Sequence, residues 1–204
     1  MISTDSPVLQ SKRHKPLFTL IVAVLFAYSG CKPQQQLETI TVSEFSDFIE
    51  TTGYVTDAEK FGWSIVQKTV FEYEIVNDAT WRLPDGKNAP PKDHPVTQVS
   101  YQDAMAYCQW AGVALPDYDA FWLAAEADKR PVIMNNTRLM GTTDISIVGN
   151  TWDLTTSENT RGEIRLAGGS YLCAPTTCNG TNPERTLYVS KDTGNSHISF
   201  SVFR

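Results

Sequence analysis

Basic side chains are in the minority in this chain: 17 Lys and Arg stand against 23 Asp and Glu, a net charge of −6. An acidic surface repels phosphate backbones, so nucleic acid is excluded as an expected partner. Histidine is scarcer still. Only His94 and His197 lie beyond the N-terminal segment, which excludes a histidine-rich metal site and leaves little material for a Ser-His-Asp triad. There is no Cys-x2-Cys pair of the zinc-ribbon kind, and no internal repeat. The longest apolar stretch, Leu17 to Ala27, has 11 residues broken by Thr19, well short of the roughly 20 that span a bilayer.

That stretch has another use. Lys12, Arg13, His14 and Lys15 precede it and Tyr28-Ser29-Gly30-Cys31 follows it, the order of charged, apolar and small-residue regions in an export signal. Small residues before a cysteine resemble a bacterial lipobox, although Tyr28 stands where an aliphatic residue is usual. The expectation is a signal peptide over 1–30, lipid on Cys31, and a polar tether over 31–42 leading to a folded domain over 43–204. The protein would then be exported and lipid-anchored to the bacterial cell envelope. Ordinary secretion and an uncleaved N-terminal anchor are the other readings. Removal of 1–30 leaves 14 basic against 22 acidic side chains, a net charge of −8.

Downstream, periodicity predicts a helix over 43–52, with Ser43 as cap, Phe45, Phe48 and Ile49 on one face, and Gly53 past its end. Residues 63–76 are β-branched and aromatic, which predicts one or two strands. Four prolines between Pro84 and Pro95 mark irregular loop. Ser100 opens a second helix over 101–111 with Asp103 in a capping-box position and Gly112 as stop. Its apolar stripe is Ala104, Tyr107, Cys108 and Ala111, so Cys108 reads as a small buried hydrophobe. A third helix begins after Leu115-Pro116, capped by Asp117 and carrying Phe121 and Trp122. Beyond Arg130 the chain is rich in Asn, Thr, Ser and Gly, and little regular structure is expected. The fold class is therefore α+β with a loop-dominated second half, and long ordered loops are usually functional.

The sharpest chemical feature is Gly168-Gly169-Ser170-Tyr171-Leu172-Cys173-Ala174-Pro175-Thr176-Thr177-Cys178. Outside the cytosol, two cysteines five positions apart suit a disulfide. Two thiolates facing each other also suit a soft ion of low coordination number such as Cu(I), and a redox-active thiol pair is a third reading. The paired glycines allow close backbone approach by another segment.

This segment resembles the active-site stretch of the formylglycine-generating enzyme (sulfatase-modifying factor) family, Gly-Gly-Ser-(Tyr/Phe)-x-Cys-x4-Cys. Thr52-Gly53-Tyr54-Val55-Thr56-Asp57-Ala58-Glu59-Lys60-Phe61-Gly62-Trp63 is similar to that family's TGY-x-TEAE-x-FGW. Trp81-Arg82-Leu83-Pro84-Asp85-Gly86 is similar to its WR-x-P-x-G. The stretch from His94 to Ala104 and that from Ala106 to Gly112 resemble HPV-x-x-VSW-x-DA-x-AYC-x-WAG, and Val148-Gly149-Asn150-Thr151-Trp152-Asp153 resembles VGN-x-WEW. The likeness covers 43–124 and 147–204. It implies a compact α+β domain related to the C-type lectin fold, which binds Cu(I) between two cysteines and uses dioxygen to oxidise a cysteine of a Cys-x-Pro-x-Arg segment to formylglycine. Cys173 and Cys178 would be the copper ligands and catalytic residues, with Ser170 beside them to orient oxygen or substrate. The substrate would be a protein or peptide carrying a Cys, a sulfatase among the candidates, and the enzyme a monomer. The family also binds structural Ca²⁺, and its ligand positions fall here on Ser146, Gly149, Thr151 and Asp153.

Four departures stand beside the likeness. The family's opening strand is missing, with only a short linker expected before the first helix. The insert carrying the family's other calcium site is reduced to 124–146. Asn182 and Thr186 replace two arginines after the second cysteine, Arg185 lying one place short of the second. Ser199-Phe200-Ser201 replaces Gly-Phe-Arg, while Asp192-Thr193-Gly194 and His197 keep register. These changes support an alternative function, a non-catalytic binding or envelope-assembly lipoprotein on the same scaffold.

Overall fold

The computed structural model describes residue 1 and residues 36–133, 142–174 and 176–204. The compact unit holding the domain is Gln34–Arg204. The leader, Cys31 and most of the tether lie outside the described residues. Among those described, no helix is long and apolar enough to cross a membrane.

Helix α1 is Val42–Thr52, and its cap is Thr41 rather than Ser43. The Thr41 hydroxyl accepts from the Glu44 N–H while Glu44 reaches back to the Thr41 N–H, a closed capping box. Ser43 is exposed in the first turn. Helix α2, Asp57–Phe61, is a single turn with its own Thr56–Glu59 box. A hairpin of β2 (Trp63–Gln67) and β3 (Tyr73–Asn77) follows. Helix α3, Tyr101–Ala111, starts at Ser100 and stops at Gly112 as its sequence signals require, burying Ala104, Tyr107 and Cys108. Ala111, expected on that stripe, is exposed in the last turn. Cys108 is a free, buried thiol whose pKa burial raises to about 11, so it is inert at neutral pH. Helix α4 is Tyr118–Ala127, capped by Asp117.

The tether gives way to structure earlier than residue 42. Leu37–Thr39 forms β1, paired antiparallel with Ser201–Phe203, the last strand of the chain. An opening strand is therefore present. It is three residues long, and its pairing to the far end of the sequence makes it invisible to local periodicity. The second half is also more regular than expected. Trp152–Glu158 (β4), Ile164–Ala167 (β5), Tyr188–Val189 (β6) and Ile198–Ser199 (β7) make one sheet in the order β6-β5-β4-β7, with β4 and β7 parallel; Ser201–Phe203 is β8.

This sheet separates two apolar clusters. Its Trp152, Leu154 and Leu166 face the main core with Phe45, Phe48, Tyr107 and Phe200, whereas Ala167 faces a smaller cluster with Phe121, Ile147 and Leu37. Phe45 is fully buried and centres an aromatic group in which the rings of Trp81, Phe48 and Tyr107 lie 5.4, 5.4 and 6.0 Å away. A buried clamp ties α2 to α3. Asp103 accepts from the Tyr54 hydroxyl and the Asp57 N–H, and Asp57 accepts from the Ser100 hydroxyl at 2.6 Å.

Candidate functional site

Strand β5 ends at Ala167 and the next two residues, Gly168 and Gly169, take left-handed φ of 86° and 73°. They swing the chain away from the sheet and let it fold back on itself. The contact between the two arms of the loop is backbone on backbone: a Cβ at Gly169 would lie 2.8 Å from the Gly180 carbonyl carbon, and one at Gly180 would lie 2.6 Å from the Gly169 Cα. No side chain fits on either residue without displacing main chain. Between these two points the loop turns tightly, with the N–H groups of Thr177, Cys178 and Asn179 all donating to the Ala174 carbonyl.

The result is that Cys173 and Cys178 face each other and are joined as a disulfide, with Cα atoms 4.9 Å apart. Both are nearly buried, at 1% and 8% exposure, yet both line a cleft of about 230 Å³ together with Trp152, Ser170, Arg185 and His197. Ser170 is the hub. Its N–H points to the Cys173 sulfur at 3.5 Å, and its hydroxyl lies 3.9 Å from that sulfur and 3.3 Å from His197 Nδ1. The three proposed chemical residues, Cys173, Cys178 and Ser170, are thus brought together.

His197 completes the group, and sequence reasoning did not place it there. Burial holds its pKa down at about 4, so the ring is neutral at neutral pH. Its position is fixed by backbone: the His197 carbonyl accepts from the Trp152 N–H at 2.9 Å, and its own N–H donates to the Asn195 side chain. The available signal was the Asp192-Thr193-Gly194 register, which carries it to the edge of β7. Arg185, one place short of the second family arginine, also lines the cleft, carried by residues 181–187, which are irregular.

The sulfur pair fits a soft ion once reduced. Among the described residues no group of three or more His, Cys, Asp or Glu side chains could hold a metal; reduced, Cys173 and Cys178 would offer two thiolates, a set that suits two-coordinate Cu(I). The calcium positions give a weaker fit. Asp153 is fully buried, accepts from the Ser201 hydroxyl at 2.5 Å through Oδ1, and has no partner for Oδ2 among the described residues. Burial pushes its pKa up to about 7. The Ser146 hydroxyl accepts the Val148 N–H at 3.1 Å, and the Gly149 N–H donates to Gly168 O at 2.8 Å; Thr151 is buried beside them. An orphaned carboxylate oxygen is what a hard cation satisfies, but one negative charge among four positions is a sparse set.

The domain is irregular α+β, and one small cleft carries the two joined sulfurs on its wall. The chain belongs to the sulfatase-modifying factor family: residues 36–137, half of its length, match the sulfatase-modifying factor enzyme 1-like domain. It is 37% identical over 102 residues to the formylglycine-generating enzyme of Bos taurus, covering 41% of this chain and 27% of that one. Over 249 aligned positions it is 26% identical to the formylglycine-generating enzyme of Mycobacterium tuberculosis, covering 79% of this chain and 83% of that one. A third relative, 33% identical over 105 residues, covering 42% of this chain and 35% of that one, is the inactive C-alpha-formylglycine-generating enzyme 2 of Bos taurus. The chain thus spans about a quarter of the bovine enzyme it matches. Among solved structures, that of CarF superposes with a TM-score of 0.47 at 14% identity, covering 82% of this chain and 84% of that one.

Proposed function

We propose that this protein is a formylglycine-generating oxidase, in which reduced Cys173 and Cys178 hold Cu(I) and a cysteine of a protein or peptide is converted to the aldehyde by dioxygen, with two further electrons from a thiol reductant that ends as its disulfide; the substrate sulfur leaves as hydrogen sulfide and the second oxygen atom as water. The observation that carries this reading is the placement of both sulfurs on the wall of one cleft with the Ser170 hydroxyl between Cys173 and His197. Bound Cu(I) would supply the electron chemistry with dioxygen. Ser170 directs its N–H and hydroxyl at Cys173 and so stabilises a thiolate there. His197 fixes the orientation of the Ser170 hydroxyl from the other side, and its neutral ring adds no charge to the cleft. Near-complete burial of both sulfurs keeps bulk water from the reacting atoms. In the disulfide form the ligands are tied to each other, so reduction precedes metal loading.

Titration of the reduced protein with Cu(I) against a competing chelator tests this. One ion is bound per chain, and Cys173→Ser or Cys178→Ser abolishes tight binding. Affinity unchanged by either substitution removes the basis of the proposal. Ca²⁺ at Ser146, Gly149, Thr151 and Asp153, with its single negative charge, belongs to the weak class, with dissociation constants of about 10⁻⁴–10⁻³ M. Lipid on Cys31 would hold the enzyme, as a monomer, on the bacterial envelope. A second reading, a non-catalytic envelope lipoprotein, is favoured by one finding: the scaffold also occurs in a relative named as inactive. Copper binding without oxidation of any cysteine peptide would select it.

A further inference from the structure

We propose that Arg185 makes the cysteine cleft selective for a thiol that has a carboxylate close to it in sequence, rather than the arginine of the Cys-x-Pro-x-Arg segment. The inference rests on the reading above, in which a substrate thiol enters this cleft.

Charge in the cleft is one-sided. Of the described side chains that line it, Arg185 is the one that carries a charge at neutral pH, and no Asp or Glu is among them. Glu72 and Glu184, the acids next in sequence to lining residues, do not line it. Much of the remaining wall is apolar, including Val70, Phe71 and Leu187, and offers an incoming ion no other charged partner. A substrate guanidinium would meet a like charge at the exposed Arg185. A substrate carboxylate would meet a fork of guanidinium donors of matching geometry.

Arg185 is also a built part of the wall. Its N–H donates to the Asn182 carbonyl at 2.9 Å, and its carbonyl accepts from the Tyr118 hydroxyl at 3.1 Å, which reaches Pro183 O at 2.6 Å as well. Tyr118 is itself buried in α4, with the Arg165 guanidinium 3.4 Å over its ring. The main chain of Arg185 is therefore anchored to the core through one buried tyrosine. Its side chain makes no ion pair with any described residue, in contrast to Arg82, Arg130, Arg161 and Arg204. A cleft of about 230 Å³ is below the range of drug-sized sites; it takes one side chain and its neighbours, so a charge placed two or three residues from the thiol falls near its rim.

The experiment compares two short peptides of one scaffold, with Ser in place of the reactive Cys and either Glu or Arg three residues on, by calorimetric binding to the full chain. The Glu peptide is expected to bind about two- to fivefold more tightly, the range for an ion pair at a solvent-facing rim. Arg185→Gln should erase the preference and Arg185→Glu should reverse it, with circular dichroism confirming that each variant is folded. A wild-type preference for the Arg peptide, a preference that survives Arg185→Gln, or no binding of either peptide overturns the inference. Parallel incubation of the Cys peptides with reduced, Cu(I)-loaded protein under air and a thiol reductant separates the two readings. Charge-selective binding without oxidation sinks the oxidase and leaves the selectivity standing, whereas oxidation indifferent to charge does the reverse.

Discussion

Gly180→Ala is the perturbation that isolates how the cysteine loop is built. Gly180 does not have a left-handed φ, so alanine introduces no backbone strain of its own. The cost is contact alone: the new methyl would meet Gly169 Cα at 2.6 Å, the Cys173 sulfur at 3.0 Å and the Trp152 ring at 3.1 Å. Two of these neighbours are main chain or disulfide and the third is a buried ring, so no flexible side chain can swing aside. Overpacking of this kind costs about 1–3 kcal/mol. For a domain of this size each kcal/mol lowers Tm by roughly 2–4 °C, giving a fall of about 4–8 °C near the middle of the range. Differential scanning calorimetry of the oxidised protein measures it. Gly162→Ala is the control, with φ +77° and no atom within 4 Å of the added carbon; its loss is confined to the left-handed strain of about 1–2 kcal/mol. A Gly180→Ala protein that melts within about 1 °C of wild type, less than a shift of about 0.5 kcal/mol would produce, and keeps its disulfide would show that the two arms of the loop are not in contact.

The remaining predictions concern core, pH and anchor. Phe45→Ala, which empties the centre of the aromatic group, should cost about 3–5 kcal/mol in urea unfolding; a loss under about 1 kcal/mol would contradict its full burial. Burial raises the pKa of Asp103 to about 6 and of Asp153 to about 7, above their unfolded values. The folded state therefore takes up protons first, and stability rises as pH falls from 8 through these values towards 5. His197 acts in the other sense, since its folded pKa of about 4 makes stability fall as pH drops below the unfolded value of about 6.5. Two gains against one loss persist until the unfolded carboxylates themselves titrate near pH 4, so Tm should be higher at pH 5 than at pH 8, and Asp153→Asn should flatten the slope between them; a Tm that climbs steadily from pH 5 to pH 8 refutes this. Cys31→Ser should release the protein from membranes to the soluble fraction and abolish labelling by palmitate, and retention of both would refute the lipid anchor.

Helix limits were legible because they are written in local chemistry. Ser100 with Asp103 and Gly112, or Gly53 after Ile49, carry their signals within a few residues. The shift of the first cap from Ser43 to Thr41 arises because Glu44 is three residues from Thr41 and closes the box there. Helix α2 escaped notice because five residues are too few for a periodic stripe, although Thr56 and Glu59 announce it in the same way. Strands β1, β6, β7 and β8 have two or three residues each, and their partners lie far away in sequence. Leu37 pairs with Phe203 and Trp152 with Ile198, contacts that no window along the chain contains. In the site, the Gly-Gly-Ser and two-cysteine spacing identified the loop and its close approach. His197 and Arg185 enter through tertiary placement, one from the turn just before β7 and one from an irregular segment pinned by Tyr118.

The most direct measurement is mass spectrometry of a short cysteine peptide incubated under air and a thiol reductant with the reduced, Cu(I)-loaded protein, beside the Cys173→Ser/Cys178→Ser variant. Conversion of the peptide cysteine to formylglycine by the first and not by the second is the expected result. An unaltered peptide, or equal conversion by the variant, would contradict the assignment of the sulfur pair as the reacting centre.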